Sequence, residues 1–131
     1  MTRRVASCNC GQLTAVVHGE PVRVSICHCL ACQKRTGSVF AVQARFPADA
    51  VEISGESRRY ARTGDEGTTA RFHFCPECGA TVFYWPEAIP GFVTIPVGAF
   101  ADPDFPPPRV SVYGVRRHAW VREPEGIEHL D

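Results

Sequence analysis

No run of apolar residues in this chain approaches the ~20 that a transmembrane helix needs. The opening residues Met1-Thr2-Arg3-Arg4-Val5 reach Cys8 without the apolar segment of a secretory signal. Excess charge of either sign is lacking, with 14 basic and 14 acidic residues. That balance argues against a phosphate backbone as the main partner, because nucleic-acid surfaces recruit net positive charge. Lysine is nearly missing: Lys34 stands alone, and arginine supplies the remaining positive charge. Helical periodicity is scarce, and no internal repeat or domain boundary interrupts the chain. A single domain over residues 1–131, in the cytoplasm, with no nucleic-acid or membrane partner, is the expectation. Oligomeric state is not legible.

What the chain does have is cysteine. Seven residues fall in three tight clusters: Cys8-x-Cys10, Cys27-x-Cys29-x-x-Cys32 and Cys75-x-x-Cys78. Separations this short suit side chains converging on a tetrahedral metal better than they suit disulfides. Without a secretory signal, metal ligation is the stronger reading. Cys10-Gly11 and Cys78-Gly79 place glycine where a metal knuckle requires positive φ after its last thiolate.

Cys8, Cys10, Cys75 and Cys78 read as one closed four-thiolate zinc site, and hence as structural. The middle cluster, Cys27-His28-Cys29-Leu30-Ala31-Cys32, reads differently. On an extended segment Cys27 and Cys29 share a side, and Cys32 lies one turn beyond Cys29 where a short helix begins. Three thiolates on zinc leave a fourth position open, the arrangement of a Lewis-acid centre. The helix start favours thiolates, and the N–H groups of Leu30 to Gln33 are candidate donors to them. A second structural site completed by His28 is the competing reading, although on a strand His28 points away from its cysteine neighbours. His73, beside the last knuckle, is a candidate for contact behind the ligands.

Most other segments alternate apolar and polar residues between glycines and prolines, as half-buried strands do. Strands are expected at Leu13–His18, Val22–Ile26, Phe40–Phe46, Val51–Ser54, Thr68–Phe74, Thr81–Trp85 and Phe92–Val97. A last pair is expected at Val110–Tyr113 and His118–Val121. One short helix is expected at Leu30–Arg35. The prolines of Asp102–Pro108 require an extended loop.

These residues together resemble the glutathione-dependent formaldehyde-activating enzyme family, which includes centromere-protein-V-like domains. The resemblance rests on Ser7-Cys8-Asn9-Cys10-Gly11, on Cys27-His28-Cys29-Leu30-Ala31-Cys32-Gln33-Lys34-Arg35-Thr36-Gly37-Ser38, on Phe74-Cys75-Pro76-Glu77-Cys78-Gly79-Ala80, and on Val97-Gly98-Ala99-Phe100-Ala101-Asp102-Pro103. It implies a mainly β fold, a β-tent of antiparallel sheets with zinc knuckles and one short helix. It also implies two Zn2+ ions per chain, one structural on Cys8, Cys10, Cys75 and Cys78, and one catalytic on Cys27, Cys29 and Cys32. The implied activity is carbon–sulfur lyase chemistry, the reversible joining of formaldehyde and glutathione into S-hydroxymethylglutathione. One departure stands out: the family commonly reads Gly-x-Leu-Asp-Asp-Pro where this chain has Gly98-Ala99-Phe100-Ala101-Asp102-Pro103, so Ala101 replaces the first aspartate.

Lys34, Arg35 and Arg71 are candidate cations for glutathione carboxylates. Thr36-Gly37-Ser38 is a candidate bend near the ligand, and Tyr84, Trp85 and Phe92 are candidate cleft walls. No general base is evident beyond His28 and His73. Three other readings compete. A zinc-stabilised binding module would close the second site. The same catalytic zinc could serve another small aldehyde or thiol adduct. A methionine sulfoxide reductase of related fold would need a late redox cysteine, and none follows Cys78.

Overall fold

The computed structural model describes residues 2–130, so Met1 and Asp131, the ends of the expected domain, lie outside the described residues. Eleven strands and one α-helix follow in the order β1 (Arg3–Ser7), β2 (Thr14–His18), β3 (Arg23–Cys27), α1 (Leu30–Thr36), β4 (Ala41–Pro47), β5 (Val51–Ser54), β6 (Arg58–Thr63), β7 (Thr69–Phe74), β8 (Thr81–Pro86), β9 (Phe92–Pro96), β10 (Val110–Val112) and β11 (Glu128–Leu130). They form a three-stranded sheet, β1-β2-β5, and an eight-stranded sheet, β11-β10-β3-β4-β9-β8-β7-β6. The fold is mainly β, as expected, with one short helix. No helix among the described residues is long and apolar enough to cross a membrane.

Strand alternation assigns the two faces of the large sheet opposite tasks. On one face, Val24, Ala44, Phe46, Val82, Val93 and Ile95 are buried against Leu13, Ala15 and Val17 near and in the small sheet. Burying an aliphatic side chain there contributes about 1.5–3 kcal/mol, before conformational entropy is subtracted. The registers Arg23↔Arg45, Tyr84↔Phe72 and Tyr60↔Phe72 put polar and aromatic residues on the opposite face, together with Cys27, two residues beyond Ser25. Chemistry-bearing side chains therefore gather on the face turned away from the core.

Two expectations need correction. His118–Val121 is a turn, closed by the Val121 N–H on the His118 carbonyl at 3.0 Å, and not a strand. The partner of β10 is β11, and both β11 and β3 run parallel to β10. Residues 113–127 are the crossover that parallel pairing requires, and a tight hairpin could not have made it. The large sheet is accordingly mixed. Strands β1, β6 and β11 carry no clear alternation and were not anticipated. β6, reading Arg-Arg-Tyr-Ala-Arg-Thr, is an exposed edge defined by its backbone ladder with β7.

Candidate metal centres and the clefts beside them

The closed set is assembled from two knuckles far apart in sequence. Each turns through a glycine with positive φ, 84° at Gly11 and 79° at Gly79, as the thiolate geometry requires. The Cys8 and Cys10 sulfurs are 3.6 Å apart, and so are those of Cys10 and Cys75. All four ligand atoms, Cys78 included, lie within 4.8 Å of one another. Zinc–sulfur bonds of about 2.3 Å at tetrahedral angles place sulfurs about 3.8 Å apart, so this donor set fits zinc.

N–H groups converge on these sulfurs. Leu13 N–H donates to Cys8 at 3.3 Å, Glu77 N–H to Cys75 at 3.4 Å, and the Gln12 side-chain amide to Cys75 at 3.0 Å. Burial is the largest single influence on Cys75 and opposes its ionisation. Donation from Gln12 and from the Cys78 and Glu77 N–H groups outweighs it and brings the thiol down to about 6. Gln12 also bonds both the N–H and the carbonyl of Glu56, tying the knuckle to the loop after β5. That approach needs Gly55: a Cβ there would lie 2.0 Å from the Gln12 carbonyl oxygen.

The second set is local. Cys27 ends β3, Cys29 is the N-cap of α1, and Cys32 sits in its first turn. Their three sulfurs lie within 4.8 Å of one another, and among the described residues no fourth cysteine, histidine or carboxylate joins them. The Cys32 N–H donates to the Cys29 sulfur at 3.3 Å, one of the anticipated backbone donors. Hydrogen bonds, first from Cys27 and then from Cys32, hold Cys29 far below an ordinary thiol. The complementary bonds, with burial, push Cys27 up. Three sulfurs sharing negative charge in this way form a donor set that fits a soft divalent cation such as zinc.

His28 is not placed among the ligands. It is fully buried, and its Nε2 faces the Glu123 carboxylate at 2.8 Å. Ser111 Oγ donates to the same carboxylate oxygen. The Glu123 carboxyl is held below the usual range: burial opposes ionisation most strongly, but Ser111 and His28 together prevail. Gln33 adds a second tie, donating to the His28 carbonyl at 2.9 Å and to the Arg116 carbonyl at 3.3 Å. Its side-chain oxygen faces His118 Nε2 at 3.0 Å. The crossover after β10 thus braces the cysteine loop from behind. Sequence reasoning missed Glu123, which has no motif and follows the loop it braces by most of the chain.

Two clefts meet at α1. One, of about 430 Å³, is lined by Cys29, Arg62, Asp65, Glu66 and Tyr113 among others. The other, of about 490 Å³, is lined by Cys32, Lys34, Arg35, Tyr60, Arg62 and Phe72 among others. Lys34 and Arg35 are where a ligand beside Cys32 would meet them, and the Arg35 guanidinium rests over the rings of Phe72 and Tyr84 at 5.0 and 5.4 Å. Arg71 is elsewhere: it pairs with Glu87 in a groove shared with Trp85 and Phe92. Arg62 borders both clefts instead, and its charge lowers Cys29. No pattern in β6 signals it, because that strand is placed only by its ladder with β7, where Arg62 stands opposite Ala70. Tyr113, overlooked as well, has φ of 54°, and burial followed by the charge of Glu66 holds its phenol above its usual value.

The other candidates have structural partners. Thr36-Gly37-Ser38 closes α1, with the Gly37 N–H donating to the Gln33 carbonyl at 2.9 Å. His73 stacks on Phe83 and meets Ser57 Oγ at 2.9 Å.

A family model described as glutathione-dependent formaldehyde-activating enzyme matches residues 3–116. The chain belongs to that family. No curated protein matches it. A crystal structure of a Rhodobacter sphaeroides protein, a structural-genomics target, is similar in fold, with a TM-score of 0.56 at 19% identity over 72% of this chain and 85% of that chain. His118 and Glu123 follow the last residue that the glutathione-dependent formaldehyde-activating model matches.

Proposed function

We propose that the chain is a zinc-dependent carbon–sulfur lyase acting on a glutathione–aldehyde adduct, forming or cleaving S-hydroxymethylglutathione or a close relative. In this reading the protein is one cytoplasmic domain over residues 1–131, using glutathione and neither nucleic acid nor membrane. Cys8, Cys10, Cys75 and Cys78 hold a structural zinc, and Cys27, Cys29 and Cys32 a catalytic one. The observation that carries the proposal is the contrast between the sets: four sulfurs grouped together, and three sulfurs beside two clefts with no fourth donor among the described residues.

A zinc held by three thiolates supplies Lewis acidity at its open position. The chain's own groups then divide the work. In the forward direction the thiol S–H adds across the aldehyde C=O, so a C–S bond forms and the proton ends on oxygen. Tyr113, kept protonated, is a hydrogen-bond donor on the wall beside Cys29. Lys34, Arg35 and Arg62 offer positive charge to the substrate's carboxylates. Arg71, paired with Glu87, is less suited to that task. Gln33 and the His28–Glu123 pair hold the cysteine loop in place.

The test counts zinc per chain under reducing conditions and assays S-hydroxymethylglutathione turnover. Two zinc ions, with Cys29→Ser reducing the count to one and turnover by at least about 100-fold, is the expected outcome. Full activity in Cys29→Ser would sink the catalytic assignment.

A further inference from the structure

The face of the large sheet that bears Cys27 also bears charge that the chain leaves unneutralised. Arg23 on β3 stands directly across the ladder from Arg45 on β4. Like charges in that relation are unfavourable, and both residues are half-buried. Neither forms an ion pair among the described residues. Burial, and after it the charge of Arg23, holds the Arg45 guanidinium below its ordinary value.

Both arginines border a cavity of about 160 Å³, together with Ser25, Gln43, Tyr84 and Thr94 and with no acidic residue. Its polar walls come from β3, β4, β9 and β8, which are consecutive neighbours in the sheet. Two polar atoms of these walls are buried without a hydrogen-bond partner: Nε of Arg23, a donor, and the side-chain oxygen of Gln43, an acceptor. Native proteins rarely leave such atoms unpaired. An occupant is therefore specified by three demands. It must bring two negative charges to the two guanidinium groups, several acceptor oxygens to the arginine and hydroxyl donors, and one donor to Gln43.

Monoanions fail the first demand: a carboxylate or bicarbonate leaves one guanidinium unmatched. Sulfate carries two charges but no proton, so it fails the third. The phosphate of an ester fails there too at about pH 8, because it keeps no O–H above its second ionisation at about 6. Free hydrogen phosphate alone among these meets all three, with two charges, acceptor oxygens on a tetrahedron and one O–H. We propose that the Arg23–Arg45 cavity is a binding site for inorganic hydrogen phosphate. The arginines and hydroxyls hold its unprotonated oxygens, and its O–H donates to Gln43. The bound anion relieves the repulsion across the β3–β4 ladder and stabilises the fold by mass action. No cysteine borders this cavity, so the site does not rest on the lyase reading.

The test uses the zinc-loaded full chain, freed of unbound zinc, at about pH 8 and constant ionic strength. Calorimetry and the Nε–H resonance of Arg23 in arginine-labelled protein are the readouts. Saturable binding of hydrogen phosphate with a shift of that resonance is expected. Sulfate and methyl phosphate, equal to it in charge but without the O–H, should bind at least about fivefold more weakly, the loss of one hydrogen bond. Bicarbonate, with the O–H but a single charge, should be weaker by about tenfold or more. Arg23→Met and Arg45→Met should each weaken hydrogen phosphate by about tenfold or more. Each variant removes a like-charged neighbour, so phosphate-free thermal midpoints at or above wild type are expected and serve as the folding control. Gln43→Leu should still bind sulfate but lose the preference for hydrogen phosphate over it. Cys29→Ser should bind hydrogen phosphate as wild type does, which separates this cavity from a metal on the cysteine trio. No saturable binding, or a stationary Arg23 Nε–H resonance, would leave solvent as the only occupant and overturn the site. Wild-type affinity in a well-folded arginine variant, or lost affinity in Cys29→Ser, would place the anion elsewhere. Sulfate or methyl phosphate binding as tightly, or an unchanged preference in Gln43→Leu, would rule out donation to Gln43. Bicarbonate binding as tightly would rule out the charge match.

Discussion

The four-cysteine and three-cysteine sets use the same ligand and the same short spacings, yet they are built on opposite principles. Cys8 and Cys75 are buried, and their set joins the segment after β1 to the turn after β7, closing a long loop. Cys27, Cys29 and Cys32 come from one strand-to-helix turn and close almost no loop. A metal on the first set orders distant segments, so its binding free energy is folding free energy. A metal on the second set orders little and is left next to open clefts. Loop closure explains why one arrangement suits architecture and the other suits chemistry.

The contrast is most easily broken by single ligand replacements. Cys75→Ser is expected to lower Tm by more than about 15 °C, or to abolish cooperative unfolding, because it unties the knuckles. Cys29→Ser is expected to lower Tm by less than about 5 °C. Thermal unfolding of the zinc-loaded proteins checks both, and equal losses would erase the distinction.

A smaller effect sharpens the contrast from the side of the brace. Glu123→Gln is expected to cost about 1–2 kcal/mol at neutral pH, since it replaces a charged acceptor shared by His28 and Ser111. Because the folded carboxyl titrates below its ordinary value, its contribution is present above the usual carboxylate range. It is lost as pH falls through the lower folded value. The gap between wild type and Glu123→Gln, followed by denaturant titration from neutral to acidic pH, should therefore narrow on acidification. Acid strips any thiolate-bound metal from both proteins alike, so the difference between them is the quantity to read. A gap that widens would reverse the sign of the interaction.

The smallest expected effect lies away from both cysteine sets. Ala101 has φ of 50° and ψ of 39°. Left-handed backbone costs alanine roughly 1 kcal/mol relative to glycine, and aspartate tolerates it better than alanine. Ala101→Gly is accordingly expected to stabilise by about 0.5–1 kcal/mol and leave turnover unchanged. A drop in turnover would instead tie this turn to the site.

Much of the site was legible because ligand spacing is local. Cys-x-Cys, Cys-x-x-Cys and a following glycine constrain a few consecutive bonds, and the structure groups those sulfurs as four and three. Strand alternation was legible for the same reason, and the half-buried strands β2, β3, β4, β7, β8 and β9 fall close to where the pattern puts them. Exposed edges such as β6 and β11 show no alternation, having no buried face to enforce one.

The sequence by itself determined which residues could hold metal and that the fold is mainly β, since both follow from short-range spacing. Tertiary structure alone decided that Arg62 and not Arg71 borders the clefts, that Glu123 braces the loop, and that Arg23 faces Arg45. Those facts depend on sheet register and on a crossover between parallel strands, which bring together residues whose separation along the chain carries no period.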